Sequence, residues 1–73
     1  LNPKSAYYRV CRGDVYSSLK QYDKALSDYA TAIELDPKRM SAYWGRATVF
    51  SAKEDFDSEI AEYTRILAFD PKN

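Results

Sequence analysis

The chain has no histidine, one cysteine, two glycines and no surplus of charge of either sign. Each shortage removes a kind of chemistry. Without histidine there is no His-based triad, no imidazole acid–base pair and no ordinary zinc site. Cys11 has no second cysteine to bridge and no histidine to activate it, so it reads as a half-buried packing residue on a helix. The chain therefore falls outside the disulfide-stapled secreted miniproteins, and its thiol usage is compatible with a reducing, cytoplasmic setting. Gly13 and Gly45 lie inside helical patterns and form no phosphate-cradling loop. Eleven basic side chains balance eleven acidic ones, which argues against binding to nucleic acid or to an acidic membrane surface. No apolar run approaches the length of a membrane span, and no signal peptide is visible. The carboxylates of Lys53 to Glu59, "KEDFDSE", lack the glycine and spacing of a calcium loop and read as a solvated turn with helix-start acids. The expectation is a non-enzyme with no catalytic, cofactor-binding or metal-ligating residue.

What is present is repetition. The phrase "LNPK" at Leu1 returns as "LDPK" at Leu35 and "FDPK" at Phe69, so that Pro3, Pro37 and Pro71 stand 34 residues apart. At the same offset Arg12 falls on Arg46, Gly13 on Ala47, Val15 on Val49, Tyr16 on Phe50, Tyr22-Asp23 on Phe56-Asp57 and Tyr29 on Tyr63. An internal period of this size marks stacked supersecondary units. Residues 1–73 are thus read as one small domain with a thin core, with repeat one at about 6–39 and repeat two at about 40–73. The first residue is Leu1 rather than methionine, and the expectation is a piece excised from a longer array.

Each unit reads as two helices. The first runs from Tyr7 to about Ser18. In the second, Ala25, Leu26, Tyr29, Ala32 and Ile33 make one apolar helical stripe, with Asp23 as its cap or first-turn acid. Pro37 cannot continue that helix and is expected to open the next one. Repeat two follows the same plan, with helices at Met40 to about Ala52 and Phe56 to about Phe69, and with Glu54 and Asp55 in the turn. The fold class is all-α: two tandem helix-turn-helix repeats and four main helices.

This pattern resembles the tetratricopeptide repeats, whose units carry W-x2-L-G-x2-Y, then A-x3-F, then P. Repeat one supplies Gly13, Tyr16, Ala25, Tyr29, Ala32 and Pro37; repeat two supplies Tyr43 in the tryptophan place, Phe50, Tyr63 and Pro71. Small Gly13 and Ala25 would let paired helices approach, with Tyr16 and Tyr29 filling the space between them. The departures are Arg9 in the tryptophan place, Arg12 and Arg46 in the leucine place, Ala47 for glycine, and Glu59 where a small alanine belongs. A glutamate at a tight crossing is costly unless paired or wet. Either Arg46 and Glu59 pair across the second hairpin, or Glu59 leans out to solvent.

The resemblance implies an α–α superhelix in which the first helix of each pair lines a concave groove for a protein or peptide partner. The residues on that face are Tyr7, Val10, Asp14 and Ser17 in repeat one and Ser41, Trp44, Thr48 and Ser51 in repeat two. Trp44 either points into the groove as a binding hot spot or packs between neighbouring first helices. Val10, Asp14 and Gly45 stand where one subset of the family places a lysine and asparagines that clamp chaperone C-termini, so that ligand is not expected. The alternative role is structural. Ile66, Leu67 and Phe69 at one end, and Tyr8 and Val10 at the other, lack a covering helix, which leaves self-association or stacking on neighbouring repeats.

Overall fold

The computed structural model describes residues 3–69, and the side chains of residues 5–69. It consists of four helices in series: α1 (Pro3–Ser18), α2 (Tyr22–Leu35), α3 (Met40–Ala52) and α4 (Phe56–Phe69), with no strand among the described residues. α1 pairs with α2 and α3 with α4, α2 packs on α3, and α1 also touches α3. The molecule is two helical hairpins laid side by side. The all-α, two-hairpin expectation holds.

The proline phrase acts as punctuation, though its parts differ. Pro3 is the first helical residue of α1, where a missing N–H costs nothing. Pro37 does not open α3 as expected. It lies in the connecting turn, and α3 begins at Met40 after Arg39. Its carbonyl instead accepts a hydrogen bond from the Tyr43 hydroxyl at 2.9 Å. Pro71 lies outside the described residues.

The two hairpin turns are built alike. Lys20 N–H donates to the Ser17 carbonyl and Gln21 N–H to that of Tyr16; Glu54 and Asp55 do the same to Ser51 and Phe50. This is a Schellman closure, which needs a left-handed residue after the helix. Lys20 (φ 63°) and Glu54 (φ 61°) adopt it at equivalent places. The starts of the following helices differ. Asp55 caps α4, with Ser58 donating its N–H and its hydroxyl to the carboxylate. Gln21, at the equivalent place before α2, makes no side-chain cap bond. Asp23 is a first-turn acid of α2 rather than its cap.

The core is made mostly of small residues around one large one. Ala6, Val10, Ala25, Ala32, Ala42 and Val49 surround Tyr29, which is 1 % exposed. The Tyr29 ring lies against the bare backbone of both Gly13 on α1 and Gly45 on α3. A Cβ at Gly13 would sit 2.8 Å from the ring, and one at Gly45 would overlap it outright. One side chain of α2 thus touches both neighbouring helices, and both make room by having no side chain. In the second hairpin Ala47 replaces Gly13, and Tyr63, the counterpart of Tyr29, stands 37 % exposed.

Each hairpin also carries a buried acid held by arginine. Asp28 on α2 receives Arg12 as a two-pronged donor, at 2.9 and 2.8 Å, and Arg9 at 3.3 Å. Its counterpart Glu62 on α4 receives Arg46 at 2.9 Å and Arg65 at 2.8 Å. Of the two readings left open for Glu59, the pairing with Arg46 fails: the partner of Arg46 is Glu62. Glu59 instead accepts a hydrogen bond from the Tyr63 hydroxyl at 3.2 Å, one turn along the same helix. A buried acid must be paired or neutral, and Glu62 is the residue 3 % exposed.

Candidate functional site

The face expected to line a groove is carried by α1 and α3. Tyr7 and Trp44 are its exposed aromatics, 61 % and 46 % exposed, and Ser41, Thr48 and Ser51 lie exposed on α3 beside Trp44. Ser17 is half-buried. Val10 departs from expectation: it is 5 % exposed and belongs to the core around Tyr29. It therefore presents neither a ligand contact nor a bare end of the molecule. Trp44 takes its place one repeat on and is 46 % exposed.

Trp44 meets the Tyr63 ring edge-on, with centroids 5.5 Å apart. From the sequence, Tyr63 is given only as the 34-residue counterpart of Tyr29. At the counterpart of Gly13 the second hairpin has Ala47, a difference that could be read from the 34-residue alignment. Tyr43 is buried and takes the core aromatic place, stacked at a tilt on Phe69 with centroids 5.4 Å apart. Thr48 spends its hydroxyl on the Trp44 carbonyl at 3.0 Å.

Asp14 is exposed but already engaged. Its Oδ1 accepts a short hydrogen bond, 2.5 Å, from the Tyr29 hydroxyl. Burial, reinforced by that bond to an anion, pushes the Tyr29 phenol well above its ordinary range. The Tyr7 phenol is also raised, chiefly by its hydrogen bond with Cys11, and that of Tyr63 chiefly by its bond with Glu59. Asp28 moves the other way. Hydrogen bonds from Arg12 hold its carboxyl below the usual carboxylate range, against the opposing effect of burial. Among the described residues no group of three His, Cys, Asp or Glu side chains could hold a metal ion, and no helix is long and apolar enough to cross a membrane.

Two helical hairpins repeated at a fixed 34-residue interval, with shared turn geometry and a shared acid–arginine pair, define a tandem helical-repeat protein. The TPR repeat family model matches residues 13–54, from the middle of α1 through α2 and α3 into the second hairpin turn. The chain belongs to that family. Searches of curated proteins and of solved structures return no match. TPR repeats are generally non-catalytic modules and commonly serve as protein-interaction scaffolds.

Proposed function

We propose that this chain is a protein-interaction scaffold whose α1/α3 face holds an extended or helical peptide of a partner protein. The observation that supports this reading is the exposed Trp44–Tyr63 aromatic pair, next to the hydroxyl-bearing Ser41, Thr48 and Ser51. Aromatic anchors ringed by adaptable polar groups are the usual composition of a binding hot spot. Trp44 is the sole tryptophan of the chain, so its emission reports occupancy directly. Titration with pools of synthetic peptides is expected to shift that emission, and Trp44→Ala to weaken binding by about 2–4 kcal/mol without loss of helicity. Emission unmoved by every pool, or peptide binding untouched by Trp44→Ala, would remove this reading.

A second reading, a structural module that stacks on copies of itself or on neighbouring repeats, is favoured by a different observation. Phe56, Ile60 and Leu67 on α4 are each more than half exposed, which is unusual for large apolar side chains on one helix face.

A further inference from the structure

The residues placed on the α1/α3 face carry a single formal charge, and it is negative. Asp14 stands exposed on α1, and the Tyr29 hydroxyl holds it in place by donating to Oδ1. That bond spends one carboxylate oxygen. Oδ2 accepts no hydrogen bond among the described residues. The same Tyr29 hydroxyl lies 2.8 Å from where a Cβ on Gly45 would stand. Gly45 follows Trp44 in α3. One phenol thus brings the acid of α1 beside the stretch of α3 that carries the tryptophan, well inside the chain.

The arginines of both hairpins are committed to other acids. Arg9 and Arg12 serve Asp28, and Arg46 and Arg65 serve Glu62. Arg39, just before α3, pairs with Asp36 at 3.3 Å, and Lys53, just after it, reaches Asp23 at 3.5 Å. Toward α4, Trp44 meets Tyr63, whose hydroxyl donates to Glu59. Trp44 therefore has a tyrosine-bound carboxylate on each side, Asp14 toward α1 and Glu59 toward α4. An aromatic face flanked by acids repels an anionic ligand and attracts a cationic one.

From this we infer that the α1/α3 face takes a lysine of its partner peptide, with the ammonium against Asp14 Oδ2 and the apolar part of the same segment on Trp44. Lysine fits better than arginine. A guanidinium gains most from a carboxylate that offers both oxygens side by side, as Asp28 offers them to Arg12. Asp14 has one oxygen left to offer, and an ammonium is a point charge that needs only one. The bond from Tyr29 also orients the carboxylate beforehand, so less freedom is lost when the ligand arrives. Lysine brings a methylene stem that lies readily along an aromatic ring while its charge stays in water or on an acid. The inference rests on the groove reading above and names the chemistry of its ligand.

The test uses the full chain and pools of short synthetic peptides that are identical except for one fixed central residue: lysine, arginine, norleucine or glutamate. Binding is read from Trp44 emission and checked by calorimetry. The lysine pool should bind about fivefold more tightly than the norleucine pool, the scale of one exposed charge pair, with arginine between them and glutamate weakest. Asp14→Asn keeps an acceptor for the Tyr29 hydroxyl and removes the charge. It should bring the lysine pool to the norleucine value while helix content is unchanged. Asp57→Asn removes the same charge from the first turn of α4 and should leave the preference for lysine intact. Equal affinity for the lysine and norleucine pools, a preference for arginine, or a lysine preference that survives Asp14→Asn overturns the inference and leaves the groove reading standing. Emission unmoved by every pool removes both. A mass by sedimentation that rises with concentration in the native chain but not in Asp14→Asn would make the occupant a second copy of this chain, and overturns the inference too.

Discussion

Tyr29 and its two glycines set the sharpest expectation for any single residue. Gly45→Ala is expected to destabilise the protein by about 1–3 kcal/mol, because the new methyl meets a ring that is itself fully packed. In a Tyr29→Leu background the same substitution should cost much less, and urea denaturation of the four chains of this double-mutant cycle measures the difference. Asp28 and Tyr29, both buried, give opposite pH limbs. The carboxyl of Asp28 is lowered in the folded chain, so its contribution is present above the unfolded value of about 3.9 and is lost as pH falls through the folded value. The phenol of Tyr29 is raised, so its contribution is present below about pH 10 and is lost as pH rises towards the folded value. Asp28→Asn should flatten the acid limb and Tyr29→Phe the alkaline one, read as melting temperature against pH. The residue scale is also where the sequence was least legible. Glu59 drew attention because it breaks the family pattern, yet the buried acid is Glu62. The available signal was that Asp28 and Glu62 repeat at one offset, as do Arg12 and Arg46. A repeated acid on an otherwise apolar helix face implies a repeated partner.

At the scale of the helix, most of the design could be read in advance. Apolar periodicity located α2, the 34-residue repeat placed α3 and α4, and proline marked the break between the hairpins, while α1 begins at Pro3, ahead of the expected Tyr7. The range of α3, from Met40, was legible, but the role of Pro37 was not, because proline is acceptable both in a helix's first turn and in the turn before it; here it lies in the turn, with its carbonyl bonded by the Tyr43 hydroxyl. The internal repeat also shows where one helix lacks a device that its twin has. Asp55 caps α4, whereas Gln21 leaves the N-terminus of α2 without a side-chain acceptor. Gln21→Asp is therefore expected to stabilise by about 0.5–1 kcal/mol. Lys20→Gly should add about as much, by relieving a left-handed backbone angle that glycine adopts freely. Thermal melts of each single variant check both, and a neutral result for Gln21→Asp would mean that the turn cannot present the carboxylate to the Lys24 N–H.

The molecule spans 30 × 29 × 16 Å and is thin in one direction. A body this thin has few fully buried side chains, and its largest one, Tyr29, lies at the joint between hairpins rather than inside either. The hairpins pack more extensively within themselves than on each other, and Tyr29 ties the two together. Seven of the eight proposed groove residues are at least partly exposed, and one is buried. Val10 was misjudged because spacing within one helix does not reveal which of its faces other helices cover; it joins the core around Tyr29. The expected solution state of the chain is a monomer across a hundredfold dilution, measured by light scattering; a mass that falls on dilution together with helix content would contradict it.

The confinement of the Tyr29 ring also has a consequence for motion. A tyrosine ring turns over only when its surroundings part enough to let its edge sweep through. Here those surroundings are the backbones of two different repeats, at Gly13 and Gly45. The ring-flip rate of Tyr29, visible as separate or merged aromatic proton resonances, therefore times the transient parting of the two repeats. The exposed Tyr63 ring faces no such gate and should flip fast at every temperature. One side chain becomes a clock for how often the array opens at its seam, and its unconfined twin serves as the control.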